Sequence, residues 1–285
     1  VTVATEETAP NSNPNDPTSL GPTAKVDGST SSTNQPTLTF SLSDANVSDT
    51  VKYRIQIATS SSFTSPVVDY TSALATQGGA SFTVGQAAGS GTYTVGTSSQ
   101  TLADGSYYWR VKAIDNSAAE SSYTTANSGS VAFIVDTTAP AVTNVTSSTS
   151  NGSYKAGQTV SIQVVFSETV YASGTPTLTL STGSPSTTSI NYATGSGTAT
   201  FTFTYTIASG NSSSDLDYSG TSSLSANGGT ITDAAGNNAT LTLATPGTAG
   251  SLGANKNIVI DTTAPVISEV TPVTTPTNDT TPDYT

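Results

Sequence analysis

The hexapeptide Val135-Asp136-Thr137-Thr138-Ala139-Pro140 returns as Ile260-Asp261-Thr262-Thr263-Ala264-Pro265. Each copy follows an apolar run, Val131-Ala132-Phe133-Ile134-Val135 or Ile258-Val259-Ile260, and each precedes another strand-like run. Proline fixes φ and has no N–H to donate, so a ladder that reaches Pro140 or Pro265 must stop there. The residue before proline is pushed to extended geometry, which predicts a short, stiff connector. The two aspartates stand about 125 positions apart, close to the size of one all-β sandwich. The hexapeptide therefore reads as the boundary between tandem β domains.

The 285-residue length fits about two domains. Only 9% of residues are charged, and there is no Cys, Met or His. Thr, Val, Tyr, Phe and Ile favour strands, while Gly, Asn, Asp, Ser and Pro favour turns. No window shows helical periodicity beyond a turn or two. The net charge is −12, from 7 basic and 19 acidic residues. Such a surface repels nucleic acid and anionic lipid and suits divalent cations. Without Cys and His the chain lacks disulfides, the usual zinc ligands and the commonest general base. No apolar run is long enough to span a membrane, and residues 1–20 lack the apolar core of a signal peptide. No membrane insertion is expected, and any export signal or anchor would lie outside the sequence.

Taken in order, residues 1–21 read as an extended lead-in punctuated by Pro10, Pro14 and Pro17. The first domain is expected over 22–137. Pro36 to Leu42 and Val51 to Ile57 alternate with period two, as half-buried strands do. Shorter strands are expected at 67–70, 80–84 and 92–95, and the strongest runs from Ser106 to Asp115 and carries the only Trp. Seven short strands at this spacing predict an immunoglobulin-like sandwich. The run Gly105-Ser-Tyr-Tyr-Trp-Arg-Val-Lys-Ala-Ile-Asp115 resembles the penultimate strand of fibronectin type III-like domains.

The second domain is expected over 138–262. Its strands should include Gln158 to Glu168, Pro176 to Leu180, Ser189 to Ala193 and the strictly alternating Thr198 to Ile207. Six motifs occur in order: Tyr154-Lys155-Ala156-Gly157, Val165-Phe166-Ser167-Glu168, Gly195-Ser196-Gly197-Thr198, Asp215-Leu216-Asp217-Tyr218, Asp233-Ala234-Ala235-Gly236-Asn237 and the closing Ile260 to Pro265. Together they resemble the bacterial immunoglobulin-like tandem repeats of large secreted adhesins and surface proteins. Asn211-Ser212 departs from that pattern, since such repeats often place an acid there. Residues 263–285 read as the start of a third, truncated module or as a free donor strand that completes a neighbour's sheet.

In an immunoglobulin-like sandwich the B–C and F–G loops gather at the end where the chain enters. That places Asp44, Asn46, Asp49 and Asp115 at one pole of the first domain. In the second, Glu168 should end a strand beside the loop holding Asp233 and Asn237, with Asp136 brought in by the linker. Asp261 mirrors Asp136 for a following module, and Asp217 is a further candidate. Carboxylates with Asn and backbone carbonyls, and no nitrogen or sulfur donor, form a hard-oxygen set suited to Ca²⁺. The competing reading is that Asp and Asn occupy turns because they make Asx turns.

The resemblance implies a structural role: a spacer or adhesin segment of a large extracellular or cell-surface repeat protein, stiffened by calcium at its junctions. The expected partners are neighbouring repeats of the same or an identical chain, and a host or matrix surface reached through regions outside this segment. A self-assembling subunit of a filament or surface layer is the alternative, and a carbohydrate-binding module using Trp109 is the second. The sequence offers no nucleophile–base pair, so an enzyme is not expected.

Overall fold

A computed structural model describes residues 10–268, and these are almost entirely β. In the first domain the strands are β1 (Thr18–Gly21), β2 (Thr30–Ser31), β3 (Thr37–Leu42), β4 (Thr50–Ala58), β5 (Val68–Ser72), β6 (Ala75–Thr76), β7 (Gly78–Thr83), β8 (Gly91–Val95), β9 (Gly105–Asp115), β10 (Thr124–Thr125) and β11 (Phe133–Val135). One sheet has the order β1-β3-β7. The other runs β2-β11-β9-β4-β5-β8, with β6 paired to β4 and β10 to β9. The period-two pattern of the sequence places Leu38, Phe40 and Leu42 of β3 against Val51, Tyr53, Ile55 and Ile57 of β4 in one core.

Trp109 is fully buried in this core, and its indole N–H donates to the Lys25 carbonyl at 2.7 Å. Tyr107 is buried beside it. The Tyr-Tyr-Trp run is thus an alternating core strand, and Trp109 has no free face on which a sugar could stack. Three of the basic residues occupy one network. Arg54 grips Asp69 with two hydrogen bonds, Arg110 lies between the rings of Phe63 and Tyr123, and Lys112 pairs with Glu120.

The lead-in differs from the expectation that it precedes the domain. Thr18 and Gly21 pair with Ser41 and Thr39, making β1 an edge strand of the first sheet. Pro14 and Pro17 are buried. Proline holds the chain extended without needing a ladder donor, so a proline-spaced segment suits a sheet edge.

In the second domain the strands are β12 (Val142–Ser147), β13 (Gly152–Tyr154), β14 (Thr159–Ser173), β15 (Thr177–Ser181), β16 (Thr187–Thr194), β17 (Thr198–Thr206), β18 (Ser212–Ser213), β19 (Leu224–Ser225) and β20 (Thr230–Thr232); the four-residue helix α1 (Leu252–Asn255) precedes β21 (Ile258–Asp261). The larger sheet has the order β12-β14-β17-β16-β15-β19, with β20 on β14, and the smaller is β13-β21-β18. Val160, Ile162 and Val164 of β14 meet Phe201, Phe203 and Tyr205 of β17 in a core shared with Ile258 and Ile260 of β21. Asn211, where the resemblance leads one to expect an acid, is buried and works inside the fold. Its Oδ1 accepts from the Tyr205 hydroxyl and the Ala208 amide, and its Nδ2 donates to the Ser184 carbonyl. Residues 269–285, which carry most of the expected third module or donor strand, lie outside the described residues.

The two cores share no residue. Truncating the fully buried Phe201 should destabilise the second domain by about 3–5 kcal/mol. Because the only Trp reports the first domain, Phe201→Ala should shift the unfolding transition seen by circular dichroism and leave the Trp109 fluorescence transition in place. Equal shifts by both probes would show one cooperative unit.

Candidate metal centre at the domain junction

The junction begins where β11 ends at Val135 and closes where β12 begins at Val142. Between them the linker is held from both sides. From the first domain, Asp104 accepts the backbone N–H and the hydroxyl of Thr137 through Oδ1, at 2.9 and 2.8 Å, and the Thr138 hydroxyl through Oδ2 at 2.8 Å. From the second domain, the Asn237 side-chain amide donates to the carbonyls of Asp136 and Thr138 at 2.8 and 3.3 Å. Beyond Pro140, Ala141 exchanges hydrogen bonds with Ser167: the Ser167 N–H donates to the Ala141 carbonyl, and the Ala141 N–H to the Ser167 hydroxyl.

These contacts bring three acids together. One carboxylate oxygen from each of Asp136, Glu168 and Asp233 lies within 4.8 Å of the others. Asp136 comes from the linker, and its Oδ1 accepts the Thr138 N–H in an Asx turn. Glu168 does not end its strand, as the sequence suggested. It lies within the long β14, where the ladder to β17 is interrupted between Val165 and Val170 before the strand continues to pair with β20. The irregularity of ladders such as this one re-aims side chains, and here Glu168 faces the linker acid. Asp233 is buried, and both its oxygens are occupied by Asn237, Oδ1 by the backbone N–H and Oδ2 by the side-chain amide. Gly236 makes this loop possible. Its φ of +94° is a left-handed conformation that a side chain would strain.

The electrostatics are unfavourable for the protein alone. Burial, then the charges of Asp136 and Asp233, push the Glu168 carboxyl above its ordinary pKa. Neither ion pair among the described residues includes a member of this cluster. The donors are all oxygens, and two linker carbonyls lie alongside. That set fits a hard divalent cation and offers nothing to a soft one.

Of the other predicted ligands, Asp44, Asp49 and Asp115 form a second group whose oxygens also lie within 4.8 Å of one another. Asn237 joins the junction through its amide nitrogen, as a strap on the linker carbonyls. Two predicted ligands fall elsewhere. Asp217 sits near α1, accepting the Tyr218 and Gly247 N–H groups, so turn chemistry accounts for it. Asp261 is exposed and accepts the Thr263 N–H in an Asx turn that repeats the Asp136–Thr138 geometry. Asp104 is a site residue that the sequence reading did not single out. The signal that could have found it is its place directly before β9, which pairs with the strand leading into the linker.

No protein-family model matches this chain, and no curated protein shows significant similarity to it.

Two outcomes follow. Asp104→Ala should leave both cores folded and free Thr137, so its amide should exchange faster with solvent than in the parent protein. Unchanged exchange would mean the domain-two contacts alone hold the linker. The hydrogen bonds from Thr137 and Thr138 also hold the Asp104 carboxyl below its ordinary pKa. In metal chelator at neutral pH, Glu168→Gln should raise the melting temperature of the second domain by removing one of three converging charges. A fall would show that the three acids do not repel.

Proposed function

We propose that this chain is a spacer segment of an extracellular repeat protein, in which tandem sandwiches are held in line by a calcium ion at each junction. The observation that carries the reading is the convergence of Asp136, from the linker, with Glu168 and Asp233, from the domain it enters. An ion bridging these groups ties the linker to the second domain and turns a mutual repulsion into a clamp. Asp136, Glu168 and Asp233 would hold it. Asn237 would position the linker carbonyls, and Asp104 would anchor the linker's other side. Recurrence of the hexapeptide at Ile260 to Pro265 supports a string of such modules, and so does the resemblance of the second domain to bacterial immunoglobulin-like repeats. With 7 basic against 19 acidic residues and a net charge of −12, the chain is suited to a calcium-rich exterior and poorly suited to nucleic acid.

Extracellular modules bind calcium with dissociation constants of roughly 10⁻⁴–10⁻³ M. At about 100-fold excess over such a constant the ion stabilises the liganded state by ~2.7 kcal/mol. Small-angle scattering with calcium and with chelator tests the reading. The expected result is a long maximum dimension with calcium and a broader distribution without it. Superimposable curves would overturn calcium stiffening. Large assemblies in both states would replace the spacer with a self-assembling filament subunit. Glu168→Gln should lose the calcium response, with affinity reduced about 10- to 100-fold.

A further inference from the structure

The first domain carries its own acidic pole, and it differs from the junction in a way that points to a second ligand. Asp44 and Asp115 are 5% and 1% exposed, and Asp49 is half-buried beside them. The loop between β3 and β4 is fixed from within. The Asp44 N–H donates to the Gln77 Oε1 at 2.7 Å, and the Gln77 side-chain amide donates to the carbonyls of Asn46 and Asp49. Asp44 Oδ1 accepts the Asn46 N–H at 2.8 Å and the Ser12 hydroxyl at 3.3 Å. Asp44 Oδ2 is buried and has no hydrogen-bond partner. A buried carboxylate oxygen left unpaired keeps its full desolvation cost with nothing to offset it. It persists here although the Asp44 N–H and Oδ1 and the carbonyls of Asn46 and Asp49 are all hydrogen-bonded. Asp115 uses Oδ1 on the N–H groups of Ser117 and Ala119 and Oδ2 on the Asn11 side-chain amide.

The lead-in crosses this pole. Asn11 donates to Asp115, and Ser12 directs its N–H at Asn46 Oδ1 and its one hydroxyl proton between Asn46 Oδ1, the nearer acceptor, and Asp44 Oδ1 at 3.3 Å. Farther on, the Asn15 N–H donates to the Ser43 carbonyl, and Asp16 accepts the Ser122 N–H. At the three acids the incoming chain supplies the neutral Asn11 and Ser12, in contrast to the acid Asp136 at the junction. All three acids of this pole therefore belong to the domain itself.

We propose that Asp44, Asp49 and Asp115 form a second hard-cation site of the calcium type, with Asp44 Oδ2 as its buried ligand, and that the ion fixes the loop on which the lead-in is strapped. Filling the site holds Asp44 and Asn46 where Ser12 can reach both. Losing the ion leaves three converging carboxylates, spreads the loop and frees the strap. The site is complete within the first domain, so it stands whether or not the junction binds an ion.

The test uses the full chain with the junction silenced by Asp136→Asn and Glu168→Gln, titrated calorimetrically with calcium alone. One saturable site is expected, with a dissociation constant of roughly 10⁻⁴–10⁻³ M. Hydrogen exchange of the peptide spanning residues 10–16 should slow about 10-fold when calcium is added. Adding Asp44→Asn and Asp49→Asn should abolish both effects while Trp109 emission stays that of a buried indole. If that variant unfolds, Asp49→Asn alone is the deciding variant, because its half-buried side chain makes no hydrogen bond among the described residues. It should weaken binding about 10-fold. No saturable binding in the junction-silenced chain, or binding unchanged by Asp49→Asn, would overturn the site. Binding without protection of residues 10–16 would overturn the strap.

Discussion

The arrangement of this chain depends on how a linker of a few residues is kept from acting as a hinge. Rotation about Asp136, Thr137 and Thr138 would suffice to swing one sandwich against the other. Proline at 140 limits one end, since it fixes its own φ and biases Ala139 to extended geometry. The rest is done by hydrogen bonds from opposite sides. Asp104 takes the Thr137 N–H and both threonine hydroxyls, while Asn237 takes the carbonyls on either side of Thr137. Thr at both positions supplies donors at little cost in side-chain freedom, because branching at Cβ already restricts χ1. The linker's donors thus face one domain and its acceptors the other.

Much of this was legible in the sequence. The alternation of Leu38, Phe40 and Leu42, and of Val51 to Ile57, gave strands and core together, because period two fixes both the element and its buried face. The recurring hexapeptide gave the boundary, since proline ends a ladder wherever it falls. The acids at both poles could be grouped because sandwich topology returns certain loops to the same end. What could not be read was local and depended on ladder irregularity or on long-range pairing. Glu168 was expected at a strand end because a charged residue after Val-Val-Phe-Ser reads as an exit. Instead the strand bulges there and runs on to Ser173. Thr18–Gly21 was not read as a strand because only the fold brings it against β3. Asp104 occurs in an ordinary turn dipeptide, and only tertiary contact separates a turn residue from a clamp; Asn237 was grouped with the acids as an oxygen ligand, and only the fold shows its amide nitrogen strapping the linker.

The same contrast explains Asp217 and Asp261. Both are acids in loops, yet each is used up by backbone N–H groups within its own turn or a neighbouring one. Asp136 makes the same turn as Asp261, so turn bonding alone does not set the two apart; what Asp217 and Asp261 lack among the described residues is a place in a group of three converging acids. At the junction the acids are drawn together by the chain path, and no Lys or Arg is paired with them among the described residues. The distinction between a turn acid and a ligand acid therefore lies in what compensates its charge.

The distribution of basic residues sharpens this point. Arg54, Arg110 and Lys112 are committed to one face of the first domain, where Asp69, Glu120 and aromatic rings surround them. Seven basic side chains cannot neutralise 19 acidic ones. Had the fold placed those cations at its poles, Asp136, Glu168 and Asp233 would form ordinary ion pairs of small net value. With these three basic residues committed elsewhere, the convergent oxygens of Asp136, Glu168 and Asp233 take part in neither ion pair among the described residues. An all-oxygen set of this kind matches the donor chemistry of a hard divalent cation, which is the basis of the proposed reading.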